Sequence, residues 1–181
     1  MDIRRKILEI QTSRDKKEFI GYFSENKCQI NTLLNLITRL ENYPLKEYAS
    51  WVLVHLIKSK QFDLEHHYND LVDTLFKTDN QTVLRNVTCC ISLLEKTKYR
   101  ESELIDQCIC FISNSENKVA LQVYSIYTLI PFGQKYPILM KEIKEIIEIH
   151  APGKTAAYRL AQKRFINSIV QKHAKKNRAH K

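Results

Sequence analysis

Glycine and proline are scarce in this chain of 181 residues, which contains three glycines and four prolines. Because both residues interrupt helices, their scarcity favours long helical segments. The three glycines are also far apart in the sequence, so the chain lacks the glycine-rich loop that holds nucleotide phosphates. We therefore expect an all-α protein without a phosphate-binding loop.

Long apolar runs are missing as well. The longest nearly apolar run, residues 49–57, is about half as long as a helix that crosses a bilayer. The first eleven residues contain five charged side chains, where a secretory signal would be apolar. The sequence therefore predicts a soluble, cytoplasmic protein with no membrane span, and it leaves the oligomeric state open.

The five cysteines do not have the spacing of a metal site or of a disulfide framework. Cys108 and Cys110 lie two positions apart, which separates their side chains by about 200° around a helix. The adjacent Cys89 and Cys90 diverge as well. We interpret the cysteines as reduced, small apolar side chains.

One helix face offers a candidate metal site, and no segment offers a catalytic one. His66, Asp70 and Asp73 share a face at helical spacing, but no further ligand lies nearby, so a solvated surface is expected. No serine or cysteine is framed by glycines as a nucleophile. We predict no metal, no cofactor and no catalytic residue.

An internal repeat is the strongest positive signal. Four apolar residues at helical spacing occur three times, about 37 residues apart: Leu45, Ala49, Val52, Leu56; Val83, Val87, Cys90, Leu94; and Val119, Val123, Ile126, Ile130. A weaker fourth copy covers 137–173, and two short amphipathic segments, 3–10 and 16–23, precede the first. The sequence predicts an all-α α-solenoid of about four helix pairs with an N-terminal helical cap. We expect one domain at 1–171 and a basic tail at 172–181.

The second helix of each pair is predicted to carry a recognition strip. If Leu45, Val83 and Val119 are equivalent, seven side chains rotate away from the core: Tyr48, Trp51, His55, Arg85, Asn86, Gln122 and Ser125. Stacked helix pairs would align them as a concave surface for a protein partner. The alternative is that Tyr48 and Trp51 seal the junction with a neighbouring helix.

Positive charge is concentrated at the C-terminal end of the chain. The net charge is +9, and residues 154–181 contain nine lysines and arginines but no acid. Such a basic end is typical of polyanion binding, although it also fits a solubilising tail. The candidate residues are Arg159, Lys163, Arg164, Lys172, Lys175 and Lys176. Because no aromatic residue follows Phe165, we expect contacts to a nucleic-acid backbone with little selectivity.

Three segments carry a more specific resemblance: EYASWVL at 47–53, KVALQVYSI at 118–126, and KYPIL at 135–139 with Glu142 and Ile143. With the helix-pair pattern, they resemble a group of small bacterial HEAT-like repeat proteins that often carry the label adenylosuccinate lyase. The resemblance covers about 26–169 and implies an α-solenoid. Lyases of that superfamily have a loop ending in a Met-Pro-x-Lys-x-Asn-Pro type motif, which this chain lacks.

We therefore expect a non-catalytic interaction module with an unknown protein partner. One alternative is weak, sequence-independent binding to a nucleic-acid backbone through the basic C-terminal repeat. A further alternative, implied by the label alone, is a lyase-type enzyme.

Overall fold

A computed structural model describes the backbone at 3–13, 16–39 and 42–178, and the side chains at 3–9, 17–39 and 42–168. Within these ranges the chain forms ten α-helices, one 3-10 turn and no strand. The helices are α1 (Ile3–Ser13), α2 (Lys16–Glu25), α3 (Gln29–Thr38), α4 (Leu45–Ser59), α5 (Tyr68–Leu75), α6 (Gln81–Leu93), α7 (Glu101–Ser113), α8 (Val119–Lys135), α9 (Pro137–Ile149) and α10 (Ala156–Arg178). The predicted all-α fold is confirmed. No helix in the described ranges is long and apolar enough to span a membrane.

The chain forms two compact units, Met1–Glu95 and Lys96–Lys181. Each unit contains two helix pairs, in which α3, α5, α7 and α9 are the first helices and α4, α6, α8 and α10 are the second helices. The limits of a single domain at 1–171 and a tail at 172–181 remain predictions. The backbone of α10 continues to Arg178 and thus through most of the predicted tail.

In the first unit, the first helices of consecutive pairs pack on each other, and so do the second helices. Helix α3 packs on α5, helix α4 packs on α6, and α1 and α2 both pack on α4. The core is formed by apolar side chains at helical spacing, including Leu33, Ile37, Val52, Leu56, Leu71 and Val87, all fully buried. The two N-terminal helices therefore cap the stack through α4.

Asn80 begins α6 and joins it to α4. Its side-chain oxygen accepts hydrogen bonds from the backbone N–H groups of Thr82 and Val83, each at 3.1 Å. Its amide nitrogen donates to Oε1 of Glu47 at 2.7 Å. Asn80 is therefore both a helix cap and a contact between repeats.

In the second unit, three helices meet at Gly133 of α8. A Cβ atom there would lie 3.0 Å from Cε of Met140 on α9 and 3.4 Å from Cζ of Phe165 on α10. Tyr158 joins α10 to α9, because its hydroxyl donates to the carbonyl oxygen of Ile147 at 3.2 Å. Burial raises the pKa of Tyr158 to about 12, so this donor keeps its proton.

The burial pattern of α8 corrects the predicted register of the third repeat. Of the eight buried positions of α4, all except 54 correspond to buried positions of α8: 47, 49, 50, 52, 53, 56 and 57 match 123, 125, 126, 128, 129, 132 and 133. The expected equivalents Val119 and Ile130 are only half-buried. The equivalent positions of α8 lie two residues later than predicted. The side chains assigned to the core therefore differ in direction by about 200° around the helix.

We expect Asn80→Ala to lower the free energy of unfolding by about 1 kcal/mol, because it removes the oxygen that caps α6. Asn80→Ser keeps an oxygen acceptor and should lower the free energy of unfolding clearly less. Thermal unfolding followed by circular dichroism measures both variants. Equal losses in the two would contradict the capping role.

Candidate interaction surfaces

The aromatic residues of α4 lie where α2 meets it. The ring of Trp51 lies 5.5 Å from the ring of Phe19, centre to centre, and 4.4 Å from the ring of His55. Phe19 is fully buried, whereas Tyr48, Trp51 and His55 are half-buried. Trp51 therefore covers the junction with α2, as the packing alternative predicted, while these three side chains keep part of their surface accessible.

Asn86 does not face away from the core, so that prediction is wrong. The residue is 5% exposed, and its amide nitrogen donates to Oγ of Ser50 at 2.9 Å. Its side-chain oxygen accepts from Nε of Arg85 at 3.2 Å. Asn86 thus links α6 to α4 from the inside and holds the half-buried Arg85 in place.

Gln122 and Ser125 are also buried, which contradicts their predicted position. Gln122 donates to the carbonyl oxygens of Asn114 at 2.9 Å and of Ile112 at 3.4 Å, where α7 ends. Ser125 donates to the carbonyl oxygen of Leu121 at 2.9 Å. Both side chains are 0% exposed, because the register of α8 turns this face inward.

Tyr124 and Tyr127 occupy the outward positions instead. In the corrected register they correspond to Tyr48 and Trp51, and all four side chains are half-buried. Sequence reasoning missed them, although an aromatic pair three residues apart on both helices was the available signal. The guanidinium carbon of Arg164 on α10 lies 5.5 Å from the centre of the Tyr127 ring.

The described part of the predicted polyanion site lies on α10. Arg159, Lys163 and Arg164 are exposed there, and Nε of Arg159 donates to the carbonyl oxygen of Lys154 at 3.3 Å. The side chains of Lys172, Lys175 and Lys176 lie outside the described residues, although their backbone belongs to α10. The site thus starts on a helix that packs on α8.

The acidic residues of the second unit lie on its first helices and in one loop. They are Glu101, Glu103 and Asp106 on α7, Glu116 in the following loop, and Glu142, Glu145 and Glu148 on α9. The sequences of α8 and α10 contain no acid. The basic residue of α8, Lys135, binds Glu101 at 2.7 Å, and hydrogen bonds from Lys135 and Tyr136 hold the pKa of Glu101 below its usual range.

A shallow depression in the first unit lies between α3 and residues 61–70. It consists of two adjoining cavities of about 340 Å³ each, which share Asn31 and His67. Burial lowers the pKa of His67, and Lys27 and Asp70 line the walls with opposite charges. Among the described residues, no three His, Cys, Asp or Glu side chains are placed to hold a metal ion.

None of the five cysteines, all of which lie among the described residues, forms a disulfide, and three are buried. Burial raises the pKa of Cys108 to about 12 and that of Cys90 well above its usual value. Because the thiolate is the reactive form, these two thiols are inert at neutral pH. The predicted role as apolar filling agrees with the burial of Cys89, Cys90 and Cys108, but it is wrong for Cys28 and Cys110, which are exposed.

The stacking of helix pairs defines an α-solenoid class of fold. The chain matches the HEAT repeat domain family over residues 3–170, and it therefore belongs to the HEAT repeat family. This confirms the predicted HEAT-like repeats. No curated protein and no solved structure matches the chain. HEAT repeats generally mediate interactions between proteins.

We expect Trp51→Ala to lower the free energy of unfolding by about 2 to 3 kcal/mol, because it uncovers Phe19 and leaves a cavity beside α2. Trp51→Phe keeps a ring against Phe19 and should lose less. Denaturant unfolding measures both variants. An alanine variant as stable as the wild type would show that Trp51 does not seal this junction.

Proposed function

We propose that this protein is a non-catalytic interaction module that binds a protein partner through the outward side chains of its second helices. The observation that carries the proposal is the group Tyr48, His55 and Arg85, which are half-buried on α4 and α6. Tyrosine and arginine are the residues that most often dominate binding energy at interfaces. Arg85 is also held by Asn86, which lowers the entropy lost when a partner binds.

No arrangement of described residues supports a lyase mechanism. The loop motif that lyases of the labelled superfamily carry is missing from the sequence, and burial keeps Cys90 and Cys108 protonated. We therefore propose that the chain is not an enzyme. Five thiols without a disulfide suit a reducing compartment, and we propose the cytoplasm as its location.

Polyanion binding through the C-terminal repeat is the second candidate function. It is favoured by the lack of acid on α8 and α10, which pack on each other. Exposed Arg159, Lys163 and Arg164 give that pair of helices a positive potential without a carboxylate of its own to cancel it. Phosphates would therefore be attracted to these helices rather than to α7 or α9.

We expect Arg85→Ala to reduce the amount of protein partner that the immobilised chain retains from a lysate of its own cells, because it removes a positioned guanidinium group. Arg39→Ala is the matched control, since it removes the same charge from an exposed site at the end of α3. Quantitative mass spectrometry of the retained proteins compares the variants. Equal retention by wild type and Arg85→Ala, at equal melting temperature, would contradict a binding surface on α4 and α6.

A further inference from the structure

We propose that α8 and α10 together form a binding site for single-stranded nucleic acid. In this site Tyr127 stacks on a base, while Lys163 and Arg164 contact the phosphates. We call the surface formed by Tyr124, Tyr127, Leu160, Lys163 and Arg164 the α8–α10 face. The inference rests on the proposed polyanion binding and adds to it a preference for unpaired bases.

Charge selects a phosphate backbone as the ligand of the α8–α10 face. Lys163 and Arg164 are exposed on α10, and neither α8 nor α10 contains an acid that could neutralise them. The basic residue of α8, Lys135, is already bound to Glu101 of α7. The surface of α10, which lies beside α8, therefore carries the positive charges of Lys163 and Arg164.

Aromatic surface selects a single strand rather than a duplex. Tyr127 is half-buried, with the Arg164 guanidinium carbon 5.5 Å from its ring centre. Tyrosine rings and arginine guanidinium planes are the groups on which unpaired bases stack. Leu160, 49% exposed, adds apolar surface on α10. In a duplex the base faces are already stacked on one another and cannot use these side chains. The fold thus supplies the aromatic group that the sequence after Phe165 lacks.

The test compares two DNA strands of equal length, a 15-mer with bases and a 15-mer of abasic sugar-phosphate units, by fluorescence anisotropy. We expect the wild type to bind the strand with bases about 5- to 150-fold more tightly, which is the effect of one stacked base. Tyr127→Leu should remove the difference, and Tyr127→Phe should keep it. Tyr43→Leu is the matched control, since Tyr43 is 77% exposed in the first unit.

A charge variant separates the stacking site from polyanion binding. Lys163→Gln should weaken both strands equally and lower the slope of log affinity against log salt by about 0.7. Lys141→Gln removes the same charge from an exposed position on α9 and should change neither the affinities nor the slope.

Equal wild-type affinity for the two strands, or tighter binding of a duplex of the same length, would overturn the stacking site. If Lys163→Gln still weakened binding in that case, the polyanion function would stand. If Lys163→Gln bound both strands as tightly as the wild type does, both the stacking site and the polyanion function would be contradicted. If Tyr127→Leu fails to fold, the affinities of the wild type for the two strands still decide whether the stacking site exists.

Discussion

The buried hydrogen bond from Asn86 to Ser50 is the constraint on which the surface of the first unit depends. An amide and a hydroxyl that are both removed from water must satisfy each other, since a buried polar group without a partner is destabilising. Rotating α6 against α4 would break this bond and also the bond from Asn80 to Glu47. The two bonds therefore fix the rotation of α6. Arg85, next to Asn86, is consequently held at the surface.

In the second unit, other buried polar residues fix the rotation of α8. Gln122 donates to the carbonyl oxygens at the end of α7, and Ser125 is buried on the same side of α8. This rotation leaves Tyr124 and Tyr127 on the outward side, at the positions that Tyr48 and Trp51 occupy on α4. Buried polar residues thus decide which aromatic residues are accessible to a partner. The acids of this unit remain on α7, on α9 and in the loop that connects α7 to α8.

The helical repeats were predictable because apolar spacing reports directly on local structure. The rotation of α8 about its own axis could not be predicted in this way. Val119, Val123, Ile126 and Ile130 reproduce the apolar spacing of the repeat, whereas the positions two residues later are Leu121, Ser125, Thr128 and Phe132, of which two are polar. An apolar pattern therefore favours the wrong register. Gln122 and Ser125 resemble surface residues until their partners are known. The contact between Tyr127 and Arg164 depends on how α8 packs on α10, which no local pattern encodes.

The central claim is that ligands bind to the second helices, and hydrogen–deuterium exchange with mass spectrometry tests it most directly. Exchange would be followed in the free protein and in the presence of a saturating single-stranded 15-mer. We expect slower exchange in peptides from α8 and α10 and no change in peptides from α7 and α9, because the first helices carry the acids of this unit. Slower exchange confined to α7 and α9 would contradict the account.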